Sequence, residues 1–254
     1  MSKIISVTNQ KGGVGKTTTC VNLAASLTAI KRKVLLIDMD PQGNATMGSG
    51  IDKNQIDFTL DDLLLENGQM DKTLLAAKSG YDIIPSNHRL TNAEVALLGQ
   101  HGREFVLKNV LKDVRNNYDF ILIDCPPSLN ILTVNALVAS DSVLIPIQCE
   151  YYALEGLAGL LNTIKSLISS VNEDLAIEGV LRTMFDGRNN LTQDVSNELQ
   201  QHFADYLYNT VIPRNVRLAE APSYGLPALH YDKRSQGAIA YLALAAELVR
   251  RNSK

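Results

Sequence analysis

Cysteine is scarce in this chain. Its three cysteines, Cys20, Cys125 and Cys149, lie far apart and never in Cys-x-x-Cys spacing. That spacing excludes a disulfide framework and a compact zinc site, and it points to a reducing compartment. No apolar stretch approaches the length of a membrane span. The first strand-like run begins by residue 4, which leaves no room for a signal peptide. Internal repeats and low-complexity tracts are absent. A basic excess is also missing: 24 Lys and Arg stand against 27 Asp and Glu, a net charge of −3. Any surface for nucleic acid must therefore come from local clustering. What remains is ordinary globular composition, 45% hydrophobic and 20% charged over 254 residues.

Short aliphatic, β-branched runs alternate with helical periodicity along the whole chain. This predicts a doubly wound α/β fold, a mainly parallel sheet with helices on both faces, in one domain over 1–254. Strands are expected at 4–8, 34–38, 81–85, 120–124, 142–146, 176–181 and near 210–212. Helices are expected at 17–29, as two short pieces within 60–77, and at 90–98, 104–114, 154–170, 192–203 and 235–251. Ligands of such folds bind beyond the carboxyl ends of the strands.

The most informative stretch is Thr8-Asn-Gln-Lys-Gly-Gly-Val-Gly-Lys-Thr-Thr-Thr19. It lies between the first strand and the first helix, the order a phosphate-binding loop demands. Gly12, Gly13 and Gly15 permit backbone conformations closed to other residues, so the N–H groups from Gly12 through Val14 to Thr18 can turn towards an anion. The positive end of the helix adds to this. Lys16 would hold the terminal phosphates and the Thr17 hydroxyl would bind Mg²⁺. The first glycine of the usual pattern is replaced by Gln10, and beside it stands a second lysine, Lys11. One lysine suffices to cradle one nucleotide, so the second needs its own explanation.

Three carboxylates leave strands at the same edge. Asp124 ends the run Phe120-Ile-Leu-Ile, the place for a Mg²⁺-organising aspartate. Asp38 and Asp40 follow the second strand two residues apart, and point to one side if the chain is still extended there. Asp38 could then support the metal shell, and Asp40 could orient an attacking water.

Together these segments resemble the ParA/Soj chromosome-partitioning ATPases, of the deviant Walker A group that also contains MinD. The resemblance rests on residues 11–18, Asp-Met-Asp-Pro-Gln-Gly-Asn at 38–44, Asp-Cys-Pro-Pro-Ser at 124–128, Gln-Cys-Glu-Tyr-Tyr-Ala-Leu-Glu-Gly at 148–156 and Ile-Pro-Arg-Asn-Val-Arg at 212–217. It implies that Lys11 reaches across an ATP-dependent homodimer to the partner's nucleotide, and is free in solvent in a single copy. It implies further that Asp40 positions the hydrolytic water, and that Pro213 and Asn215 contact the adenine. Arg188 and Arg217 match positions linked to non-specific double-stranded DNA; Lys233, Arg234, Arg250 and Arg251 are weaker candidates. A ParB-type protein would stimulate ATP hydrolysis, in the cytoplasm and on the nucleoid.

Three rival readings have sequence tests. A MinD-like membrane ATPase would need a C-terminal amphipathic anchor, but 238–254 is alanine-rich and reads as a helix packed on the body. An iron-cluster ATPase would need cysteine ligands at a dimer face; only Cys125 is suggestive. A site-specific repressor would need a helix-turn-helix module ahead of the first strand, and none is expected here.

Overall fold

The computed structural model describes residues 2–65 and 68–253. Its strands are β1 (Lys3–Val7), β2 (Val34–Asp38), β3 (Leu75–Ala76), β4 (Asp82–Ile84), β5 (Phe120–Asp124), β6 (Ser142–Gln148) and β7 (Ala176–Thr183). They form one sheet in the order β3-β4-β2-β5-β1-β6-β7. All neighbours run parallel except β3, which pairs antiparallel with β4 at the edge. The helices are α1 (Lys16–Ala29), α2 (Asn44–Gly48), α3 (Leu60–Leu64), α4 (Met70–Thr73), α5 (Leu90–Leu97) and α6 (Val106–Leu111) in the first half. Then come α7 (Ile131–Ala139), α8 (Ala153–Ser170), α9 (Asn190–Phe203), α10 (Val216–Glu220), α11 (Ala228–Tyr231) and α12 (Gln236–Asn252).

The central strands β2 and β5 are buried along their whole length and apolar up to their terminal aspartates, because both faces are covered. Alternate residues go to opposite cores. Leu36 and Leu122 join Leu23, Leu27, Tyr241 and Leu244 of α1 and α12. Leu35 and Ile121 join Leu63, Leu97, Leu107 and Leu132 from α3, α5, α6 and α7. A third cluster packs Leu157, Leu160 and Ile164 of α8 and Leu199 of α9 around β6 and β7. The doubly wound α/β architecture is therefore as expected.

Four expectations differ in detail. The stretch within 60–77 holds α3 and α4, but its end becomes β3, and residues 66–67 lie outside the described residues. The helix at 104–114 is broken: a 3₁₀ turn at Arg103–Phe105 precedes α6. Asn135 of α7 causes the break, accepting from the Leu107 amide at 3.0 Å and donating to the Arg103 carbonyl at 2.7 Å. Helix α7 itself was not anticipated, nor were the short α10 and α11.

The fourth difference is at 210–212, which is no strand. Isolated bridges, Val180 to Leu207 and Phe185 to Pro213, and backbone bonds of Ile212 to Arg182 and Phe185 tie this segment to the sheet side without forming a strand. The reason is a competing acceptor. Glu247 of α12, 4% exposed, takes the Asn209 and Thr210 amides at 2.9 Å each and the Thr210 hydroxyl at 2.7 Å. Arg251 donates to the same carboxylate at 3.0 Å. Pro213 then has no amide to offer a ladder.

Glu247→Ala would orphan two backbone N–H groups and the Thr210 hydroxyl and remove a counter-charge of Arg251, and should cost about 3 kcal/mol of stability in chemical denaturation. Burial alone would raise the Glu247 pKa, but the Thr210 hydroxyl, the two amides and Arg251 outweigh it and hold it below its ordinary 4.5. A depressed carboxylate pKa stabilises the fold above the unfolded value and loses that contribution as pH falls through the folded one. The gap between wild type and Glu247→Ala should therefore narrow below pH 4.5; a constant gap would reject the clasp.

Candidate functional site

The loops after β1, β2, β5, β6 and β7 meet at the carboxyl edge of the sheet. The loop after β1 is built around an inward-facing backbone. Gly13 and Gly15 have φ of 74° and 92°, the left-handed region that glycine tolerates. A Cβ on Gly12 or Gly13 would meet nothing within 4 Å, so the cradle is open. Its base is fixed at three points. Asn9 donates to the Pro146 carbonyl at 2.8 Å and accepts the Lys11 amide at 3.0 Å. Thr183 donates to the Val14 carbonyl at 2.7 Å. Neither Asn9 nor Thr183 was singled out in the sequence.

Helix α1 starts at Lys16 with Gly15 as its cap and no side chain bonded to its first amides. Those amides are available to an anion. Lys16 is 7% exposed, and its ammonium folds back onto the Lys11 carbonyl at 3.2 Å. Burial lowers its pKa, while the carboxylate of Asp124 works in the opposite direction. Thr17 and Thr18 follow on the first turn, half-buried.

Asp124 is fully buried, and neither carboxylate oxygen has a hydrogen-bond partner. Burial and then the charge of Asp38 push its pKa well above the usual carboxylate range. The Thr17 hydroxyl lies near enough to oppose this, without forming a well-directed bond. A buried acid without donors is costly unless something positive or a bound water completes it. The residues therefore fit a divalent cation. No cluster of three metal-ligating side chains exists among the described residues. Mg²⁺ needs none, since it binds through one or two protein ligands, phosphates and water.

Asp38 sits opposite Asp124 in the sheet register. Its oxygens are already engaged. Oδ2 accepts from the Thr46 amide at 2.8 Å and hydroxyl at 2.7 Å, and Oδ1 from the Asp40 amide at 3.2 Å. Burial raises its pKa to about 6 against the pull of these bonds. β2 stops at Asp38, whose side chain takes the Asp40 amide at the start of the loop. Asp38 thus clamps α2 to the sheet. Asp40 stands half-exposed at the rim, with Oδ1 accepting the Gln42 amide at 2.9 Å and its carbonyl accepting Ser86 at 2.8 Å. Gly43 closes this turn at φ 62°, where a Cβ would lie 2.6 Å from the Ser86 carbonyl.

Lys11 is not free in solvent, contrary to expectation. Its ammonium contacts Glu150 Oε2 at 2.6 Å, with both side chains about half-exposed. Beside the loop, a cavity of about 210 Å³ is lined by Gly15, Thr18, Met184, Pro213, Asn215 and Tyr241. Asn215 Oδ1 is buried there without a partner. A planar base with an amino group would satisfy it. Arg214, unassigned in the sequence, also lines this cavity. A larger cavity of about 600 Å³ lies at the opposite edge of the sheet, between Arg32, Arg115 and Asp141. Arg115 is paired to Asp141 at 2.8 Å there, far from all these groups.

The basic candidates are less available than their exposure implies. Arg188 bonds Asp186 through Nε at 2.9 Å and Nη2 at 2.8 Å. Arg217 is held by Glu220 at 2.7 Å and Asp232 at 3.4 Å. Arg251 is structural, bonding the Leu207 carbonyl at 2.6 Å and lying 4.0 Å over the Tyr208 ring. Lys233 and Arg234 are exposed. Cys125 is 1% exposed, and burial pushes its thiol up to about 12, a poor start for a shared cluster.

A family described as an AAA domain matches residues 2–177. The sporulation initiation inhibitor protein Soj of Bacillus subtilis is 54% identical over 249 residues, 98% of each chain. The chromosome partitioning protein ParA of Myxococcus xanthus is 49% identical over 254 residues, covering 100% of this chain and 90% of that one. Among solved structures, cobyrinic acid a,c-diamide synthase of Mycobacterium smegmatis, with bound ATP analogue and magnesium, superposes with a TM-score of 0.88. Its identity is lower, 35%, over 100% of this chain and 97% of that one. At these identities and coverages the chain belongs to the ParA/Soj family of chromosome-partitioning ATPases.

Proposed function

We propose that this protein is an ATP-dependent partitioning switch: it binds ATP with Mg²⁺, pairs with a second copy, holds DNA without sequence preference, and lets go after hydrolysis. The observation that carries the nucleotide half is Asp124, a buried carboxylate with two unbonded oxygens beside Thr17 at the head of α1. Mg²⁺ held there would offset the charge of the phosphates. Thr17 and Asp124 would hold it, with Asp38 bracing the loop behind. The amides of residues 12–18 and the Lys16 ammonium would hold the phosphates, and Pro213 and Asn215 the adenine. Asp40 would orient a water for in-line attack on the γ-phosphoryl group, and Lys11 would meet the partner's phosphates across the dimer.

Release of phosphate would loosen the dimer and its hold on DNA. Arg188 and Arg217 would supply DNA contacts, and a ParB-type partner would quicken hydrolysis, in the cytoplasm on nucleoid DNA. The membrane alternative is disfavoured by α12. Its Ala238, Tyr241, Leu244, Ala245 and Leu248 are buried in the core, so the main apolar face of the helix is already packed on the body. No helix of the described residues is long and apolar enough to cross a membrane. Co-sedimentation with duplex DNA and with anionic liposomes tests the choice, using ADP and a non-hydrolysable ATP analogue. DNA should be bound only with the analogue, and more weakly as salt rises. Liposome binding without DNA binding would replace this reading with the membrane one.

A further inference from the structure

Arg217 is about half exposed, yet two carboxylates from two elements hold it. Glu220 is one turn along α10 and contacts it at 2.7 Å; Asp232, just after α11, contacts it at 3.4 Å. Glu220 is itself fixed by the Tyr231 hydroxyl at 3.3 Å, and Tyr231 stacks on Tyr224 with ring centres 4.9 Å apart. One positive charge here faces two negative ones, which offset the arginine's attraction for a phosphate. Arg188 differs, since its single partner Asp186 is two residues away on its own loop.

Helix α10 also begins at the base cavity. Asn215, whose buried Oδ1 is unpartnered there, is its N-cap residue. Leu218, one residue past Arg217, is packed against Gly237 at the start of α12, where an added Cβ would come 2.6 Å from Leu218 Cγ. The base cavity and the arginine thus share one short, firmly seated turn of helix.

We propose that Glu220 and Asp232 are an internal phosphate mimic that masks Arg217, so that DNA must displace them to engage it. This rests on the DNA-binding reading above. The mask lowers affinity for DNA in the absence of a reason to open. Entry of a base beside Asn215, the N-cap of the same short helix, would supply that reason.

The test is fluorescence anisotropy with a random-sequence duplex at several salt concentrations, with ADP and with a non-hydrolysable ATP analogue. Glu220→Gln and Asp232→Asn keep shape and hydrogen bonding, and their melting curves report on folding. Each should tighten DNA binding roughly two- to fivefold, the scale of one exposed ion pair. The salt slope should steepen by about one contact. The gain should vanish in Arg217→Ala/Glu220→Gln, which separates unmasking from a simple loss of negative charge. Wild-type affinity in both single variants, or a gain that survives without Arg217, would remove the mask alone. A wild-type protein that ignores DNA in both nucleotide states would remove the DNA reading and the mask with it.

Discussion

Lys16→Ala is expected to lose ATP binding almost completely while the protein stays folded. Lys16 heads α1, its ammonium is nearly buried, and in this structure it has only a carbonyl of its own loop to donate to. Phosphate oxygens would replace that weak partner with charge-assisted bonds, each worth roughly 1.5–3 kcal/mol. Losing two of them weakens affinity by roughly a hundredfold or more. Titration calorimetry with Mg²⁺ and ATP reads this directly, and retained affinity would sink the loop assignment. Stability should move little. Burial depresses the Lys16 pKa, so the charged form is disfavoured in the folded state, and its cost is felt below the folded pKa. Removing such a charge relieves that cost while giving up contact with Asp124. Tm should stay within about 4 °C of wild type.

Asp40→Ala should separate binding from turnover. The carboxylate stands at the rim with one amide, that of Gln42, on Oδ1. It touches neither the loop of residues 11–18 nor the base cavity by any hydrogen bond, so ATP affinity should be kept within about twofold. Hydrolysis should fall roughly a hundredfold or more, the usual scale for losing a group that handles the attacking water. Under the proposed cycle the variant accumulates as a DNA-bound dimer, visible by light scattering and by DNA co-sedimentation with ATP itself. Steady phosphate release at the wild-type rate would take Asp40 out of this role. The structural cost is one turn hydrogen bond, about 1 kcal/mol.

Much of this site is legible in the sequence because its parts are local. Gly12 to Thr18 is a contiguous cradle. Asp38 and Asp124 stand at the ends of apolar strands that parallel pairing brings side by side. What could not be read depends on distant partners. Glu150 lies 139 positions from Lys11, and Thr183 lies 169 from Val14. No periodicity or local spacing announces such contacts. The apolar run at 210–212 misleads for a related reason. Its strand-like residues are present, but the amides at its start, of Asn209 and Thr210, go to a carboxylate on the last helix. Arg217 likewise reads as a free cation until the fold brings Asp232 beside it.

The contact between Lys11 and Glu150 alters how assembly should be viewed. If Lys11 crosses to a partner's nucleotide, it must first leave a counter-ion it already has. Dimer formation then becomes an ion exchange: a carboxylate of the same chain gives way to a phosphate of another. Its response to ionic strength would reflect the difference between two screened pairs rather than the full strength of either.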